Sequence, residues 1–393
     1  MPCPELSDLL HDGVHGQRVF VRADLNVPIR SGTIRDDTRI RSSVPTLRRL
    51  LDAGARVVLT SHLGRPKGQP VPELSLRPVA PRLAERLGRG VSFCEDCIGE
   101  RAAAAVADLE NGQLLLLENL RFHAGETQND PDFAQALADL ADVYVNDAFG
   151  TAHRAHASTV GVAERLPRRA AGELMAAELR NLRVVLDPKR PFLVLLGGAK
   201  VSDKLAVLES LAARAEALAI GGAMAYTFLG ARGDAIGASL CETDCFEDAR
   251  RVTRAVRDAG RKLLLPSDHV VAESLDPGAA TRVVREIPEG WIGVDIGPET
   301  AAAYVRQAKQ SQTIFWNGPM GVFEVAAFAA GTRTLAAGLA ECAGTTVVGG
   351  GDSLAAVNQL GVADRIDHLS TGGGASLEFI QGLRLPGVAA LGG

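Results

Sequence analysis

The sequence lacks an apolar run of membrane-spanning length, and it lacks the basic-then-apolar start that is typical of a secretory signal. Its first residues instead include two prolines and two acids, Pro2, Pro4, Glu5 and Asp8. These absences argue against membrane insertion and against export. We therefore predict a cytoplasmic protein without a membrane partner.

An excess of positive charge is also missing. The 393 residues include 42 Lys and Arg against 47 Asp and Glu, which gives a formal net charge of −5 and a pI near 6.0. A protein whose main partner is nucleic acid or a membrane surface is typically basic. We therefore expect no nucleic-acid partner, and any site for a small anion must be built locally.

Cysteine is sparse and shows no metal-binding pattern. Of the six cysteines, Cys94 and Cys97 form one CxxC, but no second cysteine pair or nearby histidine follows at the spacing of zinc sites. Scattered cysteines in a long chain without a secretory leader are typical of reduced thiols. We therefore expect no disulfides and no metal ion at this pair.

The length of 393 residues exceeds the size at which one hydrophobic core usually stops growing, so we expect two domains. In both halves short apolar runs alternate with amphipathic segments, which is typical of parallel sheets covered by helices on both faces. We predict an α/β fold of two doubly wound, Rossmann-like parallel-sheet domains joined by an interdomain helix and hinge. The predicted strands are 18–23, 56–60, 113–117, 143–145, 192–196, 217–220, 262–265, 313–316 and 345–348.

A helical pattern without internal Gly or Pro covers residues 172–186, between Pro167 and Pro188. We interpret this segment as the interdomain helix. The predicted N-terminal domain is then 1–171, and the C-terminal domain is 187–380.

Arginines follow three predicted strands of the first half, and a fourth arginine lies near the start of its first long helix. Ligands of open parallel sheets bind beyond the carboxyl ends of the strands, and arginine binds carboxylate or phosphate through paired hydrogen bonds. All but six of the 42 basic residues are arginine, so one arginine alone says little. Their coincidence at successive strand ends predicts an anion site. The four are Arg39, Arg65, Arg121 and Arg154.

Glycine-rich turns join three strands of the second half to helices. Glycines let the backbone approach a phosphate, and a helix start supplies N–H donors. Ser202 or Asp203 is the expected cap of the first of these helices. The turns are GGAKVSDK (197–204), GGGDS (349–353) and STGGGA (370–375).

Charged residues in these turns favour a nucleotide site. Two of the six lysines, Lys200 and Lys204, lie where a cation faces the positive end of a helix dipole, a placement that favours a bound anion. Asp352 puts one carboxylate among phosphate-binding amides, where it can hold Mg²⁺. The spacing of a Walker A loop is absent.

Taken together, these segments resemble the phosphoglycerate kinase family nearly end to end. The departures are small, with Ala23, Leu25 and Ala223 at positions where Val, Phe and Gly are common. The markers are RADLNVP (22–28), SHLGRP (61–66), ENLRFHAGE (118–126), YVNDAFGTAHRAHAST (144–159), GGAKVSDK (197–204), WNGPMGVFE (316–324), GGGDS (349–353) and STGGGA (370–375).

The resemblance implies reversible phosphoryl transfer between 1,3-bisphosphoglycerate and ADP, which gives 3-phosphoglycerate and ATP in glycolysis, with Mg²⁺ on the nucleotide. The implied phosphoglycerate contacts are Asp24, Asn26, Arg39, His62, Leu63, Gly64, Arg65, Arg121 and Arg154. The implied nucleotide contacts are Lys204, Gly221, Gly222, Gly293, Asn317, Glu324, Gly350, Gly351, Asp352 and Ser353, with Asp352 as the metal partner. The implied catalytic groups are Arg39, Lys200, Lys204, Gly372, Gly373 and Gly374.

An acyl phosphate is a reactive donor, and the carboxylate that it leaves needs no general base. Positioning and charge neutralisation therefore suffice for the transfer. Because the ligands are expected on different lobes, we expect the domains to close about a hinge at 172–186. The resemblance also implies that 381–393 returns to the N-terminal domain, and we expect a monomer that acts on small molecules.

Two other functions are compatible with parts of this pattern. An NAD-dependent dehydrogenase should show GxGxxG after its first strand, but that strand leads into Asp24-Leu25-Asn26. A non-enzymatic sensor of nucleotides or sugar phosphates would share the fold and stays open at this point. A coupled assay of ATP-dependent consumption of 3-phosphoglycerate distinguishes all three.

Overall fold

The computed structural model describes residues 3–30 and 32–392 and divides into two compact units. The first unit extends to Arg180 and also contains the residues from Leu383 onward, while the second is Asn181–Gly382. Each unit contains one six-stranded parallel sheet with helices between its strands. The predicted fold class, two doubly wound α/β domains, is confirmed.

The strands of the first unit come from the apolar runs of the sequence, and most of their residues are buried. They are Arg18–Ala23 (β1), Ile29–Arg30 (β2), Thr33–Ile34 (β3), Arg56–Thr60 (β4), Ser92–Cys94 (β5), Leu114–Leu117 (β6), Val143–Asp147 (β7) and Arg169–Ala171 (β8). Strands β2 and β3 pair as an antiparallel hairpin. The others form the parallel sheet in the order β5-β6-β4-β1-β7-β8. The winding direction therefore changes beside β1, which is where ligands of such sheets bind.

Helices separate these strands along the chain. They are Leu6–His11 (α1), Thr38–Asp52 (α2), Val79–Leu87 (α3), Gly99–Ala107 (α4), Ala124–Gln128 (α5), Pro131–Ala138 (α6), Val162–Arg165 (α7) and Glu173–Leu186 (α8). The inner face of α2 is buried through Ile40, Leu47 and Leu50, as its apolar spacing predicts.

The start of α8 is tied to the sheet by a buried carboxylate. Asp147, at the end of β7, accepts hydrogen bonds from the backbone N–H of Leu174 at 2.9 Å and of Met175 at 3.3 Å. The N–H of Glu173 donates to Thr46 Oγ1 of α2 at 2.8 Å. Burial raises the pKa of Asp147 to about 7 despite these bonds. The first turn of this helix is therefore fixed by side chains from β7 and α2.

The second unit repeats the architecture with a larger set of strands. They are Phe192–Leu196 (β9), Ala217–Ile220 (β10), Lys262–Leu264 (β11), His269–Ala272 (β12), Thr281–Val284 (β13), Ile292–Ile296 (β14), Thr313–Asn317 (β15), Thr345–Gly349 (β16) and His368–Ser370 (β17). The parallel sheet has the order β11-β10-β9-β15-β16-β17, so its winding changes between β9 and β15. Strands β12, β13 and β14 form a separate antiparallel sheet, which the sequence patterns did not predict.

The helices of the second unit cover the parallel sheet, and one more short helix follows near the chain end. They are Leu205–Ala212 (α9), Met224–Arg232 (α10), Phe246–Asp258 (α11), Pro298–Lys309 (α12), Ala330–Leu339 (α13), Gly351–Gln359 (α14), Gly374–Ile380 (α15) and Pro386–Ala389 (α16). In the first unit, the N–H of Gly387 in α16 donates to the carbonyl of Ala152 at 2.8 Å. Among the described residues, no helix has the length and apolar character needed to cross a bilayer.

Candidate active site

An ion pair marks the carboxyl end of β1 in the first unit. Asp24 follows the strand, is almost fully buried and pairs with the Arg39 guanidinium from the first turn of α2. The Arg39 side chain keeps 36% of its surface exposed. Since the carboxylate orients it from one side only, Arg39 presents its remaining N–H donors to a ligand at the sheet edge.

The loop after β4 is pinned by side-chain amides. Asn26 Oδ1 accepts the N–H of Gly64 at 2.9 Å, and Asn119 Oδ1 accepts the N–H of Leu63 at 3.2 Å. Gly64 has φ +63°, a left-handed conformation that favours glycine. Arg121 Nη1 donates to the Gly64 carbonyl at 2.8 Å. These bonds bring together residues that lie on three separate loops of the sequence.

His62 is held neutral among arginines. It is buried, and its Nδ1 lies 3.0 Å from Arg22 Nη2. Burial, followed by the charges of Arg22, Arg121 and Arg39, lowers the pKa of His62 well below its ordinary value. Because arginine only donates, Nδ1 accepts and the ring carries its proton on Nε2. His62 is therefore a neutral hydrogen-bond donor rather than a further cation.

Positive charge around Arg121 is not fully compensated. Its Nε is buried and has no hydrogen-bond partner in the described structure. Burial, and then the charges of Arg22, Arg154 and Arg65, lower the pKa of Arg121 to about 10, against the opposing charge of Glu126. Arg65 and Arg154 are exposed. All the predicted phosphoglycerate contacts thus lie at one edge of this sheet, where a bound anion would relieve the repulsion.

Arg22 also belongs to this cluster of charged side chains, but the sequence patterns did not predict it. Its side chain is completely buried although it belongs to β1, and its Nε donates to Ser158 Oγ at 2.8 Å. Ser158 Oγ donates in turn to the buried carboxylate of Glu126 at 2.7 Å. A charged side chain inside an apolar strand was the available signal, since arginine is rarely buried without a partner.

In the second unit, Lys204 lies between the ends of β9 and β15, where the winding direction of the parallel sheet changes. Its Nζ donates to the carbonyls of Gly197 at 2.6 Å and Asn317 at 3.1 Å, one beyond β9 and one at the end of β15. Burial lowers the pKa of Lys204 to about 8, and the charges of Asp352 and Asp203 only partly oppose this. The ammonium group is therefore partly desolvated, a cost of a few kcal/mol that a bound anion would relieve.

The helix start after β9 is capped differently from the prediction. A 3₁₀ turn, Ser202–Lys204, precedes α9, and neither Ser202 nor Asp203 caps the turn or α9 with its side chain. At the start of this turn Glu242 instead accepts the N–H of Val201 at 2.6 Å and of Ser202 at 3.1 Å. Partial burial would raise the pKa of Glu242, but these bonds, the Ser202 hydroxyl and the charge of Lys200 lower it. A carboxylate thus already occupies this helix start, and Lys200 is exposed beside it.

A cavity of about 270 Å³ opens beside Lys204's loop in the same unit. Four predicted nucleotide contacts line it, namely Gly222, Gly293, Glu324 and Asp352. Tyr226 and Asp295 also line it and were not predicted. Asp295 is buried and accepts the N–H of Gly331 at 2.6 Å, while burial raises the pKa of its carboxyl to about 7.

The remaining predicted residues lie around this cavity or at neighbouring helix starts. Ser353 Oγ accepts the N–H of Gly318 at 2.6 Å, which fixes the turn after β15 against α14. A Cβ on Gly350 would lie 2.9 Å from Asn317 Nδ2, and one on Gly221 would lie 2.3 Å from Met320 Sδ. Gly351 begins α14, and Gly374 begins α15. Gly372 and Gly373 form the turn before α15, with the N–H of Gly372 at 3.4 Å from Ser370 Oγ.

Gly222→Ala is expected to destabilise the protein more than Gly361→Ala. Both glycines have nearly the same left-handed φ, +67° and +66°, but a Cβ on Gly222 would lie 2.5 Å from Gly198 N, whereas Gly361 has open space. The excess loss of unfolding free energy should be about 1–3 kcal/mol, the cost of a forced backbone shift. Urea unfolding of both variants measures it. Equal losses of unfolding free energy in the two variants would mean that the close approach of Gly222 to Gly198 does not affect stability.

Comparisons with known proteins fit this geometry. The family model described as phosphoglycerate kinase matches residues 7–383. The chain is 57% identical over 381 residues to the phosphoglycerate kinase of Rubrobacter xylanophilus, covering 96% of each chain, and 54% identical to that of Moorella thermoacetica, covering 96% and 97%. The solved structure of phosphoglycerate kinase from Coxiella burnetii matches with a TM-score of 0.91 at 40% identity, covering 100% of this chain and 99% of that one.

Proposed function

Because this chain belongs to the phosphoglycerate kinase family, we propose that its two clusters bind the two substrates of one phosphoryl transfer, one in each unit. The family makes it a kinase of the transferase class with a glycolytic role. Its reaction is the reversible transfer between 1,3-bisphosphoglycerate and ADP that gives 3-phosphoglycerate and ATP. A coupled assay of ATP-dependent 3-phosphoglycerate consumption tests it, and no consumption by the folded protein would refute it.

We assign 3-phosphoglycerate to the cluster at the end of β1. The observation that carries this assignment is the uncompensated charge of Arg121 and its neighbours Arg65 and Arg154, beside Arg39. A ligand with one phosphate and one carboxylate offers two anionic ends to such a set of guanidinium groups. The neutral His62 adds a donor for a hydroxyl or an anion oxygen without adding charge.

We assign ATP or ADP to the cavity of the second unit. Gly222 and Gly293 have no side chains, so the part of the cavity wall that they form can accommodate the flat base. Glu324 offers a carboxylate to the ribose hydroxyls. Asp352 fits Mg²⁺, because it is exposed at the start of α14 beside backbone amides, and Mg²⁺ prefers one or two carboxylates together with phosphate oxygens. When bound, the ion would neutralise part of the charge on the nucleotide phosphates.

In the proposed mechanism the chain supplies positive charge and holds the reacting groups in line. Arg39 and Lys204 stabilise the charge of the moving phosphoryl group, and the turn Gly372–Gly374 offers backbone N–H groups to it. Lys200 lies on the same loop as Lys204 and adds an exposed cation. No side chain needs to act as a general base, because the acceptor is already a carboxylate.

The two substrates are assigned to different units, so transfer requires the units to bring them into line and to exclude water. We propose that residues 172–186 form the hinge and that the segment 381–393 belongs functionally to the N-terminal domain. Small-angle scattering tests this, with compaction expected only when both ligands are present together. An unchanged radius of gyration with both ligands would contradict it.

We further propose that the protein acts as a cytoplasmic monomer. Each cluster is formed by side chains of a single chain, so neither requires a second copy. None of the six cysteines, all of which lie in the described part of the chain, forms a disulfide, as is typical of a reducing compartment.

Arg121→Ala is expected to raise the KM for 3-phosphoglycerate by about tenfold to a hundredfold, with a smaller effect on kcat. The removed guanidinium makes a charge-assisted contact in the bound and transition states alike, a loss of about 1.5–3 kcal/mol. Steady-state kinetics with saturating MgATP measures both constants. An unchanged KM would remove Arg121 from the substrate site.

A further inference from the structure

Another cavity, of about 580 Å³, lies in the first unit, and three carboxylates, Glu95, Asp96 and Glu118, stand among prolines and other apolar residues in its wall. Asp96, Glu118 and His123 contribute to it, and none of its wall residues belongs to the phosphoglycerate contacts named above. The proposed transfer uses no group of this cavity. Its wall adjoins the CxxC segment that the sequence left without a role.

Three potential metal ligands from two loops meet at this wall. A carboxylate oxygen of Asp96, Cys97 Sγ and His123 Nε2 all lie within 4.8 Å of one another. His123 Nε2 is 2.9 Å from Asp96 Oδ1. No histidine follows the CxxC at zinc-site spacing, but the fold brings one to it, because His123 approaches from the loop after β6 while Cys97 follows β5. Folding joins residues whose separation in sequence matches no zinc-site spacing.

We propose that Asp96, Cys97 and His123 form a binding site for a borderline-soft divalent cation such as Zn²⁺, with a fourth position open toward the cavity. One thiolate, one imidazole and one carboxylate are the donors that Zn²⁺ prefers, and three protein ligands with an open position are its usual arrangement outside closed structural sites. Tetrahedral bonds of about 2.0–2.3 Å place ligand atoms about 3.5 Å apart. Around such an ion the 2.9 Å between His123 Nε2 and Asp96 Oδ1 would widen slightly, and the separations to Cys97 Sγ, which are at most 4.8 Å, would contract.

The surroundings favour a cation at this point. The carboxylates of Asp96, Glu126 and Glu118 place negative charge around the Cys97 sulfur, and this charge attracts a dication. The buried sulfur is also shielded from competing reactions with solvent.

The ligands are also held in place before any ion arrives. The backbone N–H of Cys97 donates to Asp96 Oδ1 at 2.7 Å, and the His123 ring stacks on Phe133 with centroids 5.3 Å apart. Asp96 and His123 face the cavity, which gives an ion a path from solvent. Preorganised ligands lose little conformational freedom on binding.

Cobalt titration tests the site without relying on catalysis. The chelator-treated, nucleotide-free protein is titrated with Co²⁺ in the presence of excess Mg²⁺, which occupies oxygen-only sites such as the one at Asp352. A near-ultraviolet sulfur-to-cobalt charge-transfer band should grow to saturation at one equivalent, and Zn²⁺ should abolish it. Absence of the band in the wild-type protein would overturn the proposal.

Three variants assign the ligands. Cys97→Ser should lose the band, whereas Cys94→Ser, which changes the other buried thiol of the CxxC, should keep it. His123→Gln should weaken Co²⁺ binding by at least about tenfold while leaving the sulfur band at saturation. A band that survives Cys97→Ser, or one that Cys94→Ser also removes, would contradict this ligand set. His123→Gln lies at the cavity wall and tests the site even if Cys97→Ser fails to fold.

Discussion

Lys204→Ala is expected to lower kcat by about 10²–10³-fold with the fold intact, because it removes the cation that we propose stabilises the moving phosphoryl group. The ammonium group bridges the carbonyls of Gly197 and Asn317 at the change of winding between β9 and β15. Its burial costs free energy in the free protein, so removing it should leave the urea midpoint nearly unchanged. Steady-state kinetics and urea unfolding measure the two effects separately.

The pH dependence of kcat/KM provides a separate test of the role of Lys204. The pKa of Lys204 is lowered to about 8, so the cation is lost as the pH rises through that value. We expect kcat/KM to fall above pH 8, since this ratio reports the free enzyme. Bound phosphate stabilises the cation again, so the corresponding fall in kcat should lie at higher pH. Lys204→Arg should lose the fall near pH 8, because arginine stays charged there.

Lys309→Ala is the matched control for Lys204→Ala. Lys309 is an exposed lysine of the same unit, paired with Glu341 at 2.9 Å. Its removal should leave kcat unchanged within about twofold, as for most exposed ion pairs. Near-normal turnover in folded Lys204→Ala, or a fall near pH 8 that persists in Lys204→Arg, would refute the role assigned to Lys204.

Arg39→Ala should have an effect of similar size, a loss of about 10²–10³-fold in kcat. Arg39 is paired with the buried carboxylate of Asp24 and keeps 36% of its side chain exposed at the proposed ligand edge of β1. The variant removes a transition-state cation and leaves Asp24 as a nearby negative charge, which repels the phosphoryl group. Rapid-quench measurement of a single turnover reports the chemical step directly.

Arg41→Ala provides the matched comparison on the same helix. Arg41 lies two residues further along α2, is 58% exposed and pairs with Asp37. Its loss should change turnover by less than about twofold. If Arg39→Ala and Arg41→Ala behaved alike in folded proteins, the placement of Arg39 beside the transferring group would be wrong.

Much of the fold could be predicted because the strands of a doubly wound sheet are continuous apolar runs. Strands β1, β4, β9 and β10 begin and end at the predicted residues. Three of the missed strands carry a weaker signal. β5 and β8 have three residues each, too few to show a period, and β13 is mostly exposed.

The position of candidate site residues was predictable where an unusual residue follows a strand end, as with Arg121 or Lys204. It was not predictable where the partner is distant in the chain. Glu242 caps a helix start forty residues before it, and no local pattern connects them. Arg22 was missed because its neighbours in β1 are apolar, and an arginine within such a run looks like an exposed strand residue.

We propose that each unit binds one of the two substrates, and isothermal titration calorimetry with one variant in each unit tests this division. Arg121→Ala should weaken binding of 3-phosphoglycerate by at least about tenfold and leave binding of MgADP within about twofold. Asp352→Asn should do the reverse. If either folded variant weakened both ligands to the same extent, each measured alone, the assignment of one substrate to each unit would be contradicted.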